Sequence, residues 1–185
     1  IRLDAIRKQL KQVSESLTAL GTKLSVGVTA PIVAASAASV KMASDMDESI
    51  NKVDAVFDEA SKTVHEFSNT TLTAYGIAKS TALDMAALFG DMATSMGFSR
   101  EEAAKMSMEL VALAGDLASF KNISLDQAAT ALKSIFTGET ETLKNLGIVM
   151  TDANLQAYAM SKGIETATSA MGQSEKVALR LQYVF

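Results

Sequence analysis

The chain has 185 residues, of which 48% are hydrophobic, 21% are charged and only 5% are aromatic, and its formal net charge is -4. It contains no cysteine, which excludes a disulfide framework, a thiol nucleophile and a zinc site made of thiolates. It contains one histidine. One proline and ten glycines are too few for a sandwich or barrel of many short strands. Abundant alanine and ten methionines favour helices instead, and the acidic balance indicates no basic surface for sequence-specific nucleic-acid binding.

The N-terminal segment carries a heptad pattern. Its apolar residues recur at alternating steps of three and four, at Leu3, Ile6, Leu10, Val13, Leu17, Leu20 and Leu24. Leucine at the a positions with β-branched residues at d favours assemblies of more than two helices. We expect a coiled coil or a helical hairpin, and the alternative is an amphipathic helix on a globular core.

The next segment interrupts this pattern and then continues without charge. Helix-breaking and helix-starting residues stand at Gly21, Gly27, Thr29 and Pro31, with Thr29 the expected N-cap. From Leu24 to Val40 no residue is charged, and this length is at the short limit of a membrane span. Because the stretch is rich in alanine and serine, a closely packed buried helix is the first interpretation and membrane insertion is the alternative.

A second heptad pattern follows, and it predicts one continuous helix about 37 Å long. Its apolar positions are Ala43, Met46, Ile50, Val53, Phe57, Ala60, Val64 and Phe67. Acidic residues flank this pattern, whereas Arg2, Arg7 and Lys23 flank the first one. Opposite charges are expected of helices that pair, within one chain or between chains, although both charge sets also suit solvated faces.

Beyond Tyr75 and Gly76 the predicted helices become shorter. Ser99 with Glu102, and Ser124 with Gln127, form two capping boxes that begin helices. The apolar faces of these helices comprise Met85, Leu88, Phe89, Met92 and Met96, then Ala103, Met106, Leu110, Leu113, Leu117 and Phe120, then Ala128, Leu132, Ile135 and Phe136.

Three further helices are predicted after Gly138. A short one at 140–146 ends at Gly147 with a Schellman motif, a second is capped by Thr151, and a last one begins after Ser174. The predicted fold class is all-α, with long coiled-coil-like helices followed by a compact bundle of shorter ones. The expected organisation is long helices at 1–76 with a break near 21–31, a compact module at 77–172, and the start of a further helix at 173–185.

Few residues suggest chemistry. His65 lies between Val64 and Glu66 on a predicted helix, without a sequence signal for a nucleophile beside it. Glu139 and Glu141 pair two carboxylates, which suits a metal or glycoside hydrolysis, but acids in a first helical turn also stabilise the helix dipole. We therefore expect no catalytic residue, no cofactor and no metal, and a protein that is not an enzyme.

One ordered set of motifs resembles the tail tape measure proteins of long-tailed phages and prophages. The most specific part runs from Phe136 to Thr151 and continues to Ala159. The residues that carry this match are Thr137, Gly138, Glu139, Leu143, Leu146, Gly147, Ile148, Tyr158 and Ala159. The segments Val28–Ile32, Gly97–Ser99 and Leu113–Leu117 resemble the family in the same order, whereas 1–23 resemble only coiled coils in general.

The resemblance implies a structural function. Such proteins lie in several copies along the lumen of the tail tube, help to set its length during assembly and leave ahead of the DNA at infection. The expected partners are further copies of the chain, more than two together, the tail tube and the tail-tip or baseplate proteins, with transient contact to the host membrane. The expected location is the virion tail, and the host cytoplasm during assembly.

The family's chains are far longer, so this sequence would be a segment near the N-terminal side. The alternative function is a membrane-active helical protein, of a pore-forming or effector type, that uses residues 24–40.

Overall fold

The structure is a computed structural model that describes the backbone of residues 30–185 and the side chains of residues 41–185. Within that part of the chain every regular element is helical, as the sequence predicts. The chain divides into two units, Ile1–Met46 and Asp47–Phe185. Residues 47–76 and 173–185, predicted to lie outside the compact module, belong to the second unit.

The described residues form eight α-helices. They are α1 (Ala30–Phe57), α2 (Ser61–Ser68), α3 (Thr71–Tyr75), α4 (Lys79–Ser95), α5 (Arg100–Lys121), α6 (Leu125–Thr137), α7 (Asp152–Ser161) and α8 (Gln173–Val184). Three 3-10 turns lie between them, at Asp58–Ala60, Thr140–Leu146 and Thr168–Ala170. The predicted short helix at 140–146 is thus a 3-10 helix.

Local capping residues fix where the middle helices begin. Both capping boxes are confirmed: the Ser99 hydroxyl accepts from the Glu102 backbone N–H at 3.2 Å, and the Glu102 carboxylate accepts from the Ser99 N–H at 3.0 Å. Ser124 and Gln127 make the same reciprocal pair. Thr151 caps α7 by accepting from the Asn154 N–H. These side chains satisfy amides that the first helical turn leaves without a partner.

The predicted continuous helix over 43–67 is wrong. Helix α1 ends at Phe57, and Asp58 adopts a left-handed backbone conformation with φ +52°. The chain then turns through the 3-10 segment into α2, so that the His65 imidazole reaches the Asp54 carboxylate at 2.7 Å. In a straight helix these two residues would be about 16 Å apart along the axis. We call residues 57–61 the corner.

Small residues let the helices of the core approach closely. Helix α4 packs along α5, and α6 packs against both. Gly90 of α4 faces the ring of Phe57, and a Cβ at that position would overlap the ring. Phe89 and Phe136 stack with their centroids 6.3 Å apart. The largest fully buried side chains are Phe57, Phe89, Phe136, Leu83, Leu110, Leu132, Ile135 and Leu143.

Two predicted core residues face solvent. Leu88 of α4 is 41% exposed and Phe120 of α5 is 81% exposed. Helix α5 buries the predicted Ala103 and Leu110 together with Ala104, Ser107, Val111, Ala114 and Gly115. The predicted Met106, Leu113 and Leu117 are half-buried. Its last turn extends past the core, so the apolar spacing that includes Phe120 continues beyond the residues it could pack against.

Among the helices of residues 30–185, none has both the length and the apolarity that crossing a membrane requires.

The fit of Phe57 against Gly90 makes Gly90→Ala a strongly destabilising change. We expect a loss of about 1–3 kcal/mol in the free energy of unfolding, since the added methyl group forces the ring from its site. Urea unfolding measures it. The exposed Ser95→Ala change on the same helix should alter stability by less than about 0.5 kcal/mol. Adding Phe57→Leu to Gly90→Ala should recover part of the loss, and a purely additive double mutant would contradict a clash between these two residues.

The capping box of α5 predicts a pH dependence. The Ser99 backbone N–H, and then its hydroxyl, hold the pKa of Glu102 below its ordinary value of 4.5. A lowered folded pKa means that this carboxylate stabilises the fold above pH 4.5, and that the contribution disappears as the pH falls through the folded value.

Glu102→Gln should therefore reduce the loss of stability on acidification from neutral pH to about pH 3. Urea midpoints measured across that range test this. Glu101→Gln, in the same turn but outside the capping box, is the matched control. An acid response of Glu102→Gln equal to that of the wild-type chain would rule out the capping carboxylate as its source.

Candidate functional site

The predicted helix-pairing seam lies partly inside the core. Leu3, Ile6, Leu10, Val13, Leu17 and Leu20 fall outside the described residues. In the second pattern Val53, Phe57 and Val64 are fully buried, while Met46, Ile50 and Phe67 are half-buried. The three buried residues therefore already pack within the second unit and are not displayed for a partner helix.

His65 pairs with a carboxylate at the corner. Its Nε2 lies 2.7 Å from Asp54 Oδ1, and that carboxylate is 52% exposed. The hydrogen bond from His65 holds the pKa of Asp54 below its ordinary value, and the Ser61 hydroxyl adds to this. The His65–Asp54 contact spans the corner, since Asp54 precedes it and His65 follows it. It ties α1 to α2.

The family motif begins at a turn that ends α6. Gly138 adopts a left-handed conformation with φ +83°, and its N–H donates to the Ser134 carbonyl at 2.8 Å. The Arg180 guanidinium of α8 donates to the Ile135 carbonyl at 3.0 Å and lies over Gly138, where a Cβ would meet Nη2 at 2.8 Å. A glycine is therefore required here by the backbone angle and by the close approach of Arg180.

Arg180 satisfies a helix end that would otherwise lack a partner. The last backbone carbonyls of a helix such as α6 accept no hydrogen bond from an N–H of the same helix. A cation beside them is therefore favourable. Burial lowers the pKa of Arg180, and the nearby Asp152 raises it. The guanidinium thus joins α8 to the end of α6 at a half-buried position.

The middle of the motif is a 3-10 helix held by its apolar face. Leu143 and Leu146 are buried, and α6 packs against this segment. Gly147 has φ +82°, and the Ile148 N–H donates to the Leu143 carbonyl at 3.0 Å, which confirms the predicted Schellman motif. The Thr140 hydroxyl donates to the Met150 carbonyl at 2.7 Å and so closes the segment.

The end of the motif contacts α8 through two tyrosines. The Tyr158 hydroxyl donates to the Gln182 carbonyl at 2.7 Å, and the Tyr183 hydroxyl donates to the Val149 carbonyl at 2.9 Å. The two rings meet edge to face with centroids 5.4 Å apart. Ala159 is fully buried, which lets α7 and α8 approach each other. The motif residues together form what we call the junction, residues 134–159 with α8.

The two carboxylates of the motif do not form a site of their own. Thr137 and Glu139 are exposed, and Glu141 pairs with Lys144 at 2.7 Å. Within the described part of the chain no three acidic or histidine side chains are grouped as metal ligands. The junction therefore offers packing and hydrogen bonding to its own helices.

Several openings border α8, among them a polar one and an apolar one. A polar cavity of about 230 Å³ is lined by Asp152, Leu155, Thr168, Ser169, Lys176 and Arg180. An apolar groove of about 560 Å³ is lined by Phe98, Met106, Glu109, Ala178, Leu181, Gln182 and Phe185. The first carries one carboxylate, Asp152, beside the cations Lys176 and Arg180, and the second is mostly apolar.

Sequence patterns alone do not reveal Arg180 and Tyr183. Both lie in the segment predicted as the start of a separate helix. Their partners are backbone carbonyls that lie 45 residues from Arg180 and 34 residues from Tyr183. The one available signal was the apolar spacing of Val177 and Leu181, both buried, which indicates that α8 packs on something.

Comparisons with protein-family models, with curated protein sequences and with solved structures gave no match.

Arg180→Gln should loosen the junction. We expect a loss of about 1 kcal/mol in the free energy of unfolding, the usual value for a charge-assisted hydrogen bond reduced for partial exposure. Hydrogen exchange should also quicken at the amides of α8 before those of α5. Lys176→Gln, one turn earlier on the rim of the same cavity, is the control and should change little. Unaltered exchange in α8 would show that Arg180 does not hold the helix in place.

Proposed function

We propose that the chain is a segment of a tail tape measure protein of a long-tailed phage or prophage. The observation that carries this proposal is the ordered set of sequence motifs, above all residues 136–159. The all-helical fold of residues 30–185 is compatible with it. In this proposal the chain is structural, has no catalytic residue, and lies with further copies inside the tail tube.

The physical properties of a helix suit a ruler. Each helical residue adds about 1.5 Å, so chain length converts linearly into distance. Heptad patterns hold several long helices together without a globular core. Residues 1–24 and 43–67 carry such patterns, with basic flanks on the first and acidic flanks on the second. More than two copies would associate through them.

The junction would serve a different part of the same function. Its residues complete a compact helical unit, since Arg180, Tyr158 and Tyr183 all bond backbone carbonyls of neighbouring elements. A unit of fixed shape does not convert residues into length. We propose that it packs or docks at one place in the tail, against the tube or the tail-tip and baseplate proteins.

Tail length tests the ruler role. Inserting four helical heptads after residue 42, in the phage that encodes the chain, should lengthen the tail by about 42 Å if this region spans the tube as a helix. Electron microscopy of the assembled tails measures this. The same insertion at the exposed Gly163 turn, outside both heptad patterns, is the matched control and should leave the length unchanged.

Unchanged tails after the heptad insertion would contradict the ruler role of this segment. Leakage of lipid vesicles caused by the full chain, together with unchanged tails, would favour the alternative of a membrane-active protein that uses residues 24–40. That alternative is motivated by the uncharged run Leu24–Val40.

A further inference from the structure

The corner interrupts a sequence that contains no helix breaker. No glycine or proline occurs from Ile32 to Tyr75, and the heptad spacing continues through the corner from Ala43 to Phe67. Helices usually end at a glycine, a proline or a strong cap. Here Phe57 and Ala60 flank the turn without any side-chain cap. The local sequence therefore permits a second conformation, in which α1 and α2 are one helix.

The bent conformation includes an unfavourable backbone angle. Asp58 has φ +52°, a left-handed conformation that is unfavourable for a residue with a Cβ relative to glycine. Its carboxylate is bound by Arg100, with Nη1 at 2.6 Å from Oδ2, but both side chains are about half exposed or more. An exposed ion pair of this kind contributes little. This ion pair alone therefore does not account for the bend.

Burial of the seam residues holds the corner closed. Val53, Phe57 and Val64 have no exposed surface, and removing apolar side chains of this size from water stabilises the closed form. The Lys52 ammonium also contacts Asp84 of α4 at 3.3 Å. The closed corner folds α2 back so that His65 contacts Asp54. A straight helix would separate these two residues, and it would therefore also move Val64 away from its present position relative to Phe57.

The same three residues occupy heptad positions of the straight helix. Phe57 and Val64 would be at a and Val53 at d, on one face together with Ile50 and Phe67. Straightening alone exposes this face and is unfavourable. Several straight helices together rebury it, so the alternative conformation is favoured only by association with further copies.

We propose that the corner is a hinge, and that assembly with further copies of this chain opens it into one continuous helix over residues 43–67. The partner is thus a second copy of the same sequence, bound through the seam that the closed form buries. This inference rests on the proposed function for the event that brings copies together, while the hinge itself can be observed in the purified chain.

A matched pair of substitutions separates the two conformations. Asp58→Gly and Asp58→Ala both remove the carboxylate that Arg100 binds. Glycine favours the left-handed angle of the closed corner, whereas alanine disfavours it and favours the helix. We expect association of the Ala variant to exceed that of the Gly variant by roughly twentyfold per chain, measured by sedimentation velocity.

The distance across the corner gives the second measurement. The chain has no cysteine, so spin labels can be placed at exposed positions through Asp47→Cys and Glu66→Cys. A continuous helix separates these positions by about 28 Å. The closed corner holds them closer, because Asp54 and His65 are in contact between them. We expect the short distance in monomers and the long one in oligomers.

The outcomes separate the hinge from the proposed oligomeric role. Oligomers that keep the short distance would overturn the hinge while leaving the proposed oligomeric role intact. Chains that remain monomeric at all concentrations, in both variants, would overturn the hinge together with the oligomeric part of the proposed function. Equal association of the Gly and Ala variants would also overturn the hinge, because the conformation of residue 58 would then not be linked to assembly.

Discussion

The burial of Phe57 against Gly90 is the contact on which the rest of the second unit depends. It brings the end of α1 onto α4, and the missing Cβ of Gly90 is what makes room for the ring. Once Phe57 is seated, the chain has to turn, since the next apolar residue of the pattern, Val64, is buried in the same core. The left-handed angle at Asp58 follows from this packing and is not the cause of the turn.

The helix boundaries that can be predicted from this sequence are those fixed by residues close in the chain. The boxes at Ser99 and Ser124 and the Schellman turn at Gly147 each involve partners within five residues, and all three are present as expected. The spacing of apolar residues also identifies the buried side of α6. In these places the local sequence and the packing of the core require the same conformation, so the local sequence is enough to predict it.

The corner and the junction could not be predicted because their partners are distant in sequence. The heptad spacing of 43–67 is compatible with a straight helix, and what decides against it is packing on distant helices, including that of Phe57 against Gly90. Likewise, nothing in the sequence around Arg180 indicates its role, because its partner is the Ile135 carbonyl, 45 residues earlier in the chain. Periodicity shows which side of a helix is apolar, but it does not identify the surface that covers that side.

The chain has no cysteine and few aromatic residues, so few strong contacts hold the closed form. With no cross-link and a core built largely of alanine, leucine and valine, the fixed position of α1 depends on a few large side chains, of which Phe57 is the one at the corner. In the proposed hinge, such a fold exchanges its packing for that of another helix with similar apolar surface, and both states would bury the same residues. The heptad spacing that fails to predict the closed structure therefore remains informative: it describes the surface that these residues would present to each other in an assembly of straight helices.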